Sequence, residues 1–487
     1  MKVLGEYQLP KGWSWATISE LVGDAGVFID GDWVESKDQD PQGGVRLIQL
    51  ADVGDGVYRD KSNRFLTKAK AKELGCTFLK EGDVLIARMP DPLGRACVFP
   101  GDEKPSVTVV DVAIVRSGNG EFDHRWLACF VNAHPFRSAI SGLQAGSTRK
   151  RISRGNLATI PLPVPPLPEQ RRIVAEIEKQ FSRLEEGVGA LRRVQANLKR
   201  YRAAVLKAAC EGRLVPTEAE IWKSGSGILP LGSDGKRQDA ASTLGEPFES
   251  GAELLARIHA ERRQNWQGRG KYKEPAAPDT SKLGKLPEGW AWGNVAQLAD
   301  VGTGATPKRG TARFYDRGTI PWVASAALNN PFVDSANESV TKAALAETNL
   351  TLYPPGTLLL AMYGEGKTRG KCSELRISAT TNQAIAAIQC SDEIRAYLKL
   401  ALWRQYEDLR LTASGGVQPN LNLSLVRAIV VPMPPLAEQS RIVAEVERRL
   451  SVVEEMEATV EANLQRATRL RQSILQKAFE GKLVASA

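Results

Sequence analysis

Residues 361–368, AMYGEGKT, have the spacing of a phosphate-binding loop with alanine in place of the first glycine. Such a loop binds phosphate when it follows a strand and opens a helix, because its backbone N–H groups and its lysine then surround the anion. The preceding TLLLA is typical of a strand, but RGKCSELRISATT after it has a glycine at once and no helical spacing of apolar residues. The corresponding residues 87–95 of the first half contain no Gly-Lys-Thr. The sequence therefore argues against nucleotide binding at this loop.

The rest of the sequence contains no enzymatic signature. Residues 302–307, GTGATP, lack the last glycine of a dinucleotide-binding fingerprint, and the next residues, KRG, do not open a helix. There is no serine nucleophile elbow, no HExxH and no recognisable paired-carboxylate motif. The six cysteines form no CxxC pair and there are three histidines, so neither zinc nor His-based acid–base chemistry is indicated. We predict a non-catalytic chain that holds no catalytic residue, metal or cofactor of its own.

The composition is typical of a basic globular protein. The 487 residues include 65 Lys and Arg against 56 Asp and Glu, a formal net charge of +9. This length allows two to four domains. The chain has no apolar run of 18 residues, and its start lacks the apolar core of a signal peptide. These features and the scattered thiols favour the cytoplasm, and the positive charge admits a nucleic-acid partner without establishing one.

Two polar loops that contain glycine have side chains that could bind nucleic acid. Residues 146–154, GSTRKRISR, contain four cations and no acid, and residues 414–420, SGGVQPN, occupy the corresponding place in the second half. Arg makes bidentate contacts to guanine and Gln or Asn to adenine, whereas Lys, Ser and Thr hold phosphates. For a single residue the alternative is a solvent-exposed turn, but two such loops in equivalent places favour DNA. The predicted DNA-contacting residues are Ser147, Thr148, Arg149, Lys150, Arg151, Arg154, Arg88, Arg95, Lys308, Arg309, Lys367, Arg369, Ser414, Gln418 and Asn420.

The segments that must position these loops occur twice. Residues 165–216 and 434–485 align without gaps at an offset of 269, with 22 of 52 positions identical. The motif LPKGW at 9–13 returns as LPEGW at 286–290, an offset of 277. Between these markers the two halves diverge almost completely. A chain that repeats its frame but not its lobes predicts two different surfaces on one symmetric frame.

Each repeated segment predicts one long amphipathic helix. In the first, ten apolar positions span 32 residues in nine steps, a mean spacing of 3.56 that is helical and near the coiled-coil period. Pro168 suits a first helical position, and the segments end at Gly212 and Gly481, as left-handed C-terminal caps require. About 44 residues at 1.5 Å each give a rod of about 66 Å.

The apolar stripe on each rod is narrow and needs a partner. We therefore predict that the two rods pair as an antiparallel coiled coil related by a pseudo-two-fold axis. The alternative is that each rod packs separately on its own lobe. The stripe residues are Ile173, Ile177, Phe181, Leu184, Val188, Leu191, Val194, Leu198, Tyr201 and Val205 in the first rod, and Ile442, Val446, Leu450, Val453, Val460, Ala467, Leu470 and Ile474 in the second.

Residues 217–285 form a bridge between the first rod and the second lobe. Within it, Ser250 and Glu253 form a capping-box pair that predicts a short amphipathic helix. Residues 257–273 carry six cations against one Glu, with Trp266 and Tyr272 among them. Such a stretch can follow phosphates and stack on bases, but a solvated linker explains it equally well.

These features together resemble the DNA-specificity subunit of type I restriction–modification systems, which has two target-recognition domains separated by two conserved helical spacers. The residues that carry the resemblance are LPKGW and LPEGW, the junctions GSTRKRISRGNLATIPLPVPPLPEQRRIV and NLNLSLVRAIVVPMPPLAEQSRIV, and the rod ends EGRLV and EGKLV. The similarity covers essentially the whole chain, and the double occurrence of PPLxEQ is its most specific part. The corresponding domains are 1–164 and 286–433 for target recognition, 165–216 and 434–487 for the spacers, and 217–285 for the bridge.

The resemblance implies α+β lobes, each reading one half of an asymmetric, two-part site on double-stranded DNA. It also implies that the helical pair sets the gap and docks two methyltransferase subunits, which bind S-adenosylmethionine. Two translocase–nuclease subunits, which use ATP and Mg²⁺, are expected to join for restriction. The residues expected to hold the scaffold and its partners are Glu169, Gln170, Ile173, Glu438, Gln439 and Ile442. The alternatives are a structural adaptor without DNA contact, which the clustered cations disfavour, and an enzyme acting through residues 361–368.

Overall fold

The computed structural model describes residues 9–90, 92–146, 150–224, 248–266, 270–363, 369–412 and 421–484, and in 407–412 it describes the backbone alone. The chain divides into two compact units, residues 1–194 with 459–487 and residues 195–458. Each unit contains one lobe together with parts of both long helices. Both lobes combine helices with β-sheets, so the α+β class predicted from the sequence is confirmed.

In its described residues the first lobe contains nine strands and five short α-helices. The strands are β1 (Ser14–Ala16), β2 (Val27–Asp30), β3 (Val45–Ile48), β4 (Phe65–Leu66), β5 (Val84–Ala87), β6 (Ala96–Val98), β7 (Ser106–Thr108), β8 (Val112–Arg116) and β9 (Leu162–Val164). The helices are α1 (Ile18–Val22), α2 (Lys68–Glu73), α3 (His124–Val131), α4 (His134–Leu143) and α5 (Arg154–Ala158). An antiparallel sheet has the order β2-β8-β5-β6, and a mixed sheet has the order β4-β3-β7. All four residues of β5 are buried, because both faces of this central strand are covered.

The long helix α6 (Leu167–Cys210) follows the first lobe, and α7 (Glu218–Lys223) and α8 (Gly251–Gln264) belong to the bridge. The strands of the second lobe are β10 (Ala291–Asn294), β11 (Ala299–Thr303), β12 (Ile320–Val323), β13 (Phe332–Val333), β14 (Glu338–Val340), β15 (Leu358–Ala361), β16 (Cys372–Leu375), β17 (Thr380–Thr381), β18 (Ile385–Cys390) and β19 (Val430–Met433). Its helices are α9 (Val295–Leu298), α10 (Ala312–Tyr315), α11 (Lys342–Glu347), α12 (Asp392–Thr412) and α13 (Leu423–Arg427), and α14 (Leu436–Phe479) ends the fold. The sheets have the orders β11-β18-β15-β16-β13 and β14-β12-β17.

The same frame is built in both units, residue for residue. Strand β1 pairs antiparallel with β9 so that Trp15 lies opposite Pro163, and β10 pairs with β19 so that Trp292 lies opposite Pro432. Trp292 is equivalent to Trp15 at the repeat offset of 277, and Pro432 is equivalent to Pro163 at the offset of 269. The two frames therefore share one register, although the sheets between their strands differ.

Both long helices end as the glycines predict. Gly212 and Gly481 have φ values of +66° and +69°, in the left-handed region that favours glycine. In each unit the helix end packs against the LPxGW motif, since a Cβ on Gly481 would overlap Pro10 and a Cβ on Gly212 would overlap Pro287. Each glycine thus serves both the turn and the close approach of a proline ring.

Contacts within each unit show that α6 and α14 run antiparallel. In the first unit Arg471 Nη1 lies 3.1 Å from Glu185 Oε1. In the second unit Arg202 Nη2 lies 3.5 Å from Glu454 Oε1. At the repeat offset of 269, Glu185 of α6 is equivalent to Glu454 of α14, and Arg202 of α6 is equivalent to Arg471 of α14. The two ion pairs are therefore equivalent, except that the helix supplying the Glu and the helix supplying the Arg are exchanged. The predicted antiparallel pairing, with its two-fold exchange of roles, is confirmed.

The apolar stripe is buried at its ends and open at some positions between them. Ile173 and Ile177 of α6 join the core of the first lobe, and Ile442 and Val446 of α14 join that of the second. Val194, Tyr201 and Leu470 were expected to be buried, but they are 36%, 44% and 48% exposed. The physical reason is that a pair of helices has one seam, and a stripe with a spacing above 3.5 drifts away from it. Exposed ion pairs contribute at most about 1 kcal/mol each. Burial of the apolar side chains therefore stabilises the helix pair, and the ion pairs help to set its register.

The bridge is in part a packed element of the second unit. The predicted capping box forms, and Leu254 and Ile258 of α8 are buried in the core of the second lobe. Among the described residues of 257–273, which could either follow phosphates or form a solvated linker, three of the cations are bound by carboxylates. These pairs are Arg257 with Glu249 and Glu393, Arg262 with Asp300, and Arg263 with Glu274. Neither a solvated linker nor a fully available basic patch therefore describes residues 257–266.

The phosphate-loop string does not have the required setting. Residues 364–368 lie outside the described residues, but the elements on either side are clear. Strand β15 leads to β16, and the two pair antiparallel with Leu359 opposite Ser373. The string therefore joins two strands of a hairpin, whereas a phosphate-binding loop opens a helix. The prediction that no helix follows is confirmed.

Gly481→Ala should lower the free energy of unfolding by about 1–3 kcal/mol, because the alanine Cβ opposes both the positive φ and the packing of Pro10. Gly187→Ala is the matched control, since its added Cβ in the middle of α6 would have no described atom within 4 Å outside the adjacent helix backbone. That change should stabilise the chain by about 0.5–1 kcal/mol. Urea unfolding followed by circular dichroism measures both, and equal effects of the two substitutions would refute the role of Gly481.

Candidate DNA interface and scaffold junctions

The basic loop of the first lobe is closed at its base. The backbones of Ala145 and Arg151 exchange two hydrogen bonds of 2.8 Å, and the next residue, Ile152, is fully buried. Lys150, Arg151 and Arg154 are exposed at this closed loop, whereas Ser147, Thr148 and Arg149 lie outside the described residues. Ser153 caps α5 through the backbone N–H of Asn156, which fixes where Arg154 begins the helix. Buried Ile152 and the capped helix thus hold three cations at the surface.

Arg88 and Arg95 lie inside the lobe, although the sequence predicts that they contact DNA. Arg95 is buried, and it donates hydrogen bonds to the carbonyl oxygens of Leu50 at 2.7 Å and Val53 at 2.5 Å. Arg88 is also buried and lies 3.2 Å from a carboxylate oxygen of Asp30. A buried guanidinium that is bonded in this way holds loops together. The placement favours a structural role for both residues.

The predicted contacts of the second lobe are only partly described. Ser414, Gln418, Asn420 and Lys367 lie outside the described residues. Arg369 is half-buried in the turn before β16. The elements on either side of Ser414, Gln418 and Asn420 are described. Helix α12 ends at Thr412, and the side chain of Asn422 caps α13 by accepting a hydrogen bond from Leu425 N. The predicted loop therefore lies, in sequence, between the end of α12 and the start of α13.

Lys308 and Arg309 lie in an exposed turn of the second lobe. Lys308 is exposed, but Arg309 binds Glu338, with one N–O distance of 2.5 Å. The Arg309 guanidinium also lies about 5 Å from the ring centres of Tyr315 and Trp322. Of the two, Lys308 is the more available to a phosphate.

Four of the six predicted scaffold residues hold the chain's own frame. Gln170 Nε2 donates to the carbonyl of Pro165 and Gln439 Nε2 donates to that of Pro434, both at 2.9 Å. Both glutamines are buried, and Ile173 and Ile442 are fully buried in the two lobe cores. The glutamines fix the angle at which the chain enters each helix. Partner subunits would find no accessible side chain at these four positions.

The remaining pair, Glu169 and Glu438, are equivalent in sequence and different in surroundings. Glu438 is fully buried and accepts hydrogen bonds of 3.1 Å from Trp290 Nε1 and from the backbone N–H of Glu218. Glu169 is half-exposed. Burial raises the pKa of Glu438 to about 7, against the lowering effect of its two hydrogen bonds.

Sequence reasoning missed the cluster around Glu438. It comprises Trp290, Glu438, Glu218 and Arg441, in which Arg441 pairs with the Glu218 carboxylate and donates to the carbonyl of Pro216 at 3.2 Å. A signal was present, because the Trp of LPxGW and the Glu and Arg of PPLxEQxR occur in both copies. The signal did not show that Glu218, just after the first rod, would contact these residues. No sequence periodicity links Glu218 to a motif 220 residues away.

The described residues show no sign of metal or thiol chemistry. No three His, Cys, Asp or Glu side chains within them come together in a way that would hold a metal ion. Burial raises the pKa of the thiols of Cys97, Cys129 and Cys372 to about 12, so they stay protonated at neutral pH. Over the same ranges, every helix is too short or too polar to cross a bilayer.

The duplicated frame, the two different lobes and the junction motifs agree with comparisons to known proteins. The chain belongs to the family described as type I restriction modification DNA specificity domain, which matches residues 26–189 and 287–464. The family predicted from the sequence is thereby confirmed.

Two specificity subunits from Escherichia coli resemble the chain over much of its length. It is 23% identical over 515 residues to the type I restriction enzyme EcoEI specificity subunit, covering 97% of this chain and 83% of that one. It is 24% identical over 371 residues to the EcoKI specificity subunit of strain K12, covering 74% and 66% of the two chains. Both relatives are named specificity subunits, in agreement with a non-catalytic role for this chain.

A solved chain supports the fold. It comes from a study of complex assembly and conformational transition in the type I R-M system. The two chains superpose with a TM-score of 0.62 at 18% identity, covering 98% of this chain and 100% of the other.

The raised pKa of Glu438 predicts a pH-dependent stability. The folded state holds a proton that the unfolded state, with a pKa of 4.5, has lost, so the free energy of unfolding falls as the pH rises from about 4.5 to about 7. For this group the fall should be about 1–3 kcal/mol. Glu438→Gln should remove it, so the variant gains stability relative to the wild type as the pH rises from about 4.5 to about 7. Urea unfolding across this range tests it, and a constant difference between the two proteins would contradict the raised pKa.

Proposed function

We propose that this chain is the sequence-specific DNA-binding subunit of a type I restriction–modification complex and that each lobe reads one half of an asymmetric, two-part site. The observation that carries the proposal is a frame built twice in one register with two different lobes attached. Two identical readers would suit a symmetric site. The described sheets between the frame strands have four and three strands in the first lobe and five and three in the second, and such different lobes suit two different half-sites.

Cations at the surface of the first lobe support its contact with DNA. Lys150, Arg151 and Arg154 are exposed on a loop whose base is fixed by Ile152. Phosphate contacts from such residues give affinity and orientation, whereas contacts to base edges give sequence preference. The buried Arg88 and Arg95 shape the loops beside them instead.

The two long helices act, in this proposal, as the ruler between the half-sites. Each has 44 residues, a length of about 66 Å, and their equivalent ion pairs help to set one register along the seam. The same helical pair docks two methyltransferase subunits, which bind S-adenosylmethionine. Two translocase–nuclease subunits that use ATP and Mg²⁺ complete the restriction complex. This chain contributes recognition, and the chemistry belongs to its partners.

Single alanine substitutions of Lys150, Arg151 and Arg154 should weaken DNA binding in one of two ways. Loss of a phosphate contact should weaken all sequences alike and lower the salt slope by about one, whereas loss of a base contact should relax one position of the site by about 1–3 kcal/mol. The site is first defined by methylome sequencing of cells that carry the partner methyltransferase, and binding is then measured by fluorescence anisotropy at several salt concentrations. Arg183→Ala, an exposed change on α6, is the control. Wild-type binding by all three loop variants would contradict this interface.

Lengthening the middle of both helices should widen the gap without changing either half-site. Four residues inserted after Glu186 and four after the equivalent Glu455 leave the pairs Glu185–Arg471 and Arg202–Glu454 in register. Four residues add about 6 Å and about 400° of turn, close to one revolution, which corresponds to at most about two base pairs. Insertions of two residues rotate the stripe by about 200° and should break the pairing.

The readout for the insertions is the methylated motif in cells. A wider gap with unchanged half-sites supports the ruler. Full activity with an unchanged gap after the four-residue insertions would show that another element sets the spacing.

A further inference from the structure

The cluster around Glu438 seats the first turn of α7, and we name Trp290, Glu438 and Arg441 the second-unit dock. Three contacts hold the turn: the backbone N–H of Glu218 on Glu438, the Glu218 carboxylate on Arg441, and the Pro216 carbonyl on Arg441. Thr217 caps the helix and is itself buried. The dock thus recognises a helix start with an acidic residue at its first position.

The repeat supplies a second copy of this dock in the first unit, made of Trp13, Glu169 and Arg172. The offsets 277 and 269 carry these residues to Trp290, Glu438 and Arg441. The surrounding frame is also the same, since a Cβ on Gly12 would lie 3.9 Å from Pro166 and a Cβ on Gly289 would lie 3.8 Å from Pro435. Both tryptophans are 8% exposed. We name this set the first-unit dock.

Within the described ranges, no helix start occupies the first-unit dock. Trp13 Nε1 is buried and has no hydrogen-bond partner in the part of the chain that the structure describes, whereas its equivalent on Trp290 donates to Glu438. Glu169 is half-exposed, and Arg172 is exposed with no ion pair or side-chain hydrogen bond to any described residue. A buried N–H without an acceptor is unfavourable, so an acceptor brought to Trp13 Nε1 would stabilise the folded chain.

We propose that the first-unit dock binds the first turn of an acidic α-helix from a partner polypeptide. The helix places a carboxylate on Arg172 and a backbone N–H on Glu169, and Glu169 then accepts the hydrogen bond of Trp13. This inference does not depend on DNA recognition, because none of the three residues belongs to the basic loops.

One difference between the docks identifies the occupant further. In the second unit, Lys223 at the end of α7 pairs with Glu288 at 2.6 Å. The equivalent of Glu288 in the first unit is Lys11, which is exposed. A second copy of this chain would bring Lys223 against Lys11. A helix that fits the first-unit dock instead carries an acidic residue at both its first and its sixth position. This second acid distinguishes the partner helix from α7, which has Lys223 there.

The probe is a labelled peptide with the sequence of residues 214–224 carrying Lys223→Glu, titrated with the full-length protein by fluorescence anisotropy. It should bind saturably, and Arg172→Glu in the protein should weaken it at least about tenfold, the effect of losing one charge-assisted hydrogen bond. A peptide that also carries Glu218→Arg should recover binding to the Arg172→Glu protein. The peptide with the native Lys223 should bind about two- to fivefold less tightly, as an exposed like-charge contact predicts.

Two controls make the result specific. Arg441→Glu alters the second-unit dock and should leave peptide binding unchanged, and the Arg172→Glu protein should keep the wild-type unfolding midpoint because Arg172 is exposed. Absence of saturable binding, or equal binding to wild type and Arg172→Glu, would overturn the proposal. Binding that appears only when residues 485–487 are deleted would also overturn it, since the chain itself would then fill the dock.

Discussion

A 44-residue amphipathic helix leaves an apolar stripe in water unless another surface covers it, and this constraint organises the whole chain. Helices α6 and α14 meet it together by running antiparallel. The lobes complete the cover at the helix ends, where Ile173 and Ile442 are fully buried. Between the ends a two-helix pair offers one seam, so Tyr201 and Leu470 stay exposed. Stability is therefore concentrated at the junctions between helix and lobe.

The repeated motifs are the parts that build those junctions. A glycine after each helix permits a left-handed turn and the approach of a proline ring, and a glutamine at each helix start binds the preceding proline carbonyl. Such close contacts tolerate few side chains. The lobes between the motifs need only to be anchored, so their sheets can differ. This division of constraint fits a protein that carries two readers on one frame.

Positive charge serves two separate purposes in this chain. Arg88 and Arg95 are buried and bind carbonyl or carboxylate oxygens, and Arg257 and Arg262 fasten the bridge helix to the second lobe. Lys150, Arg151 and Arg154 remain at the surface. The net charge of +9 counts both groups alike, so it does not locate an interface. Burial and carboxylate partners separate them.

The sequence by itself determined the two long helices, their glycine ends, the doubled frame and the family, because helical spacing, caps and repeats are written in residues close together along the chain. It also showed that residues 361–368 open no helix. Only the tertiary structure decided which stripe residues are buried, which arginines are already bound, and why Glu438 and Glu169 differ. These properties depend on neighbours far apart in sequence, such as Glu218 against Glu438, and on how much water a neighbour excludes. No local pattern records those contacts.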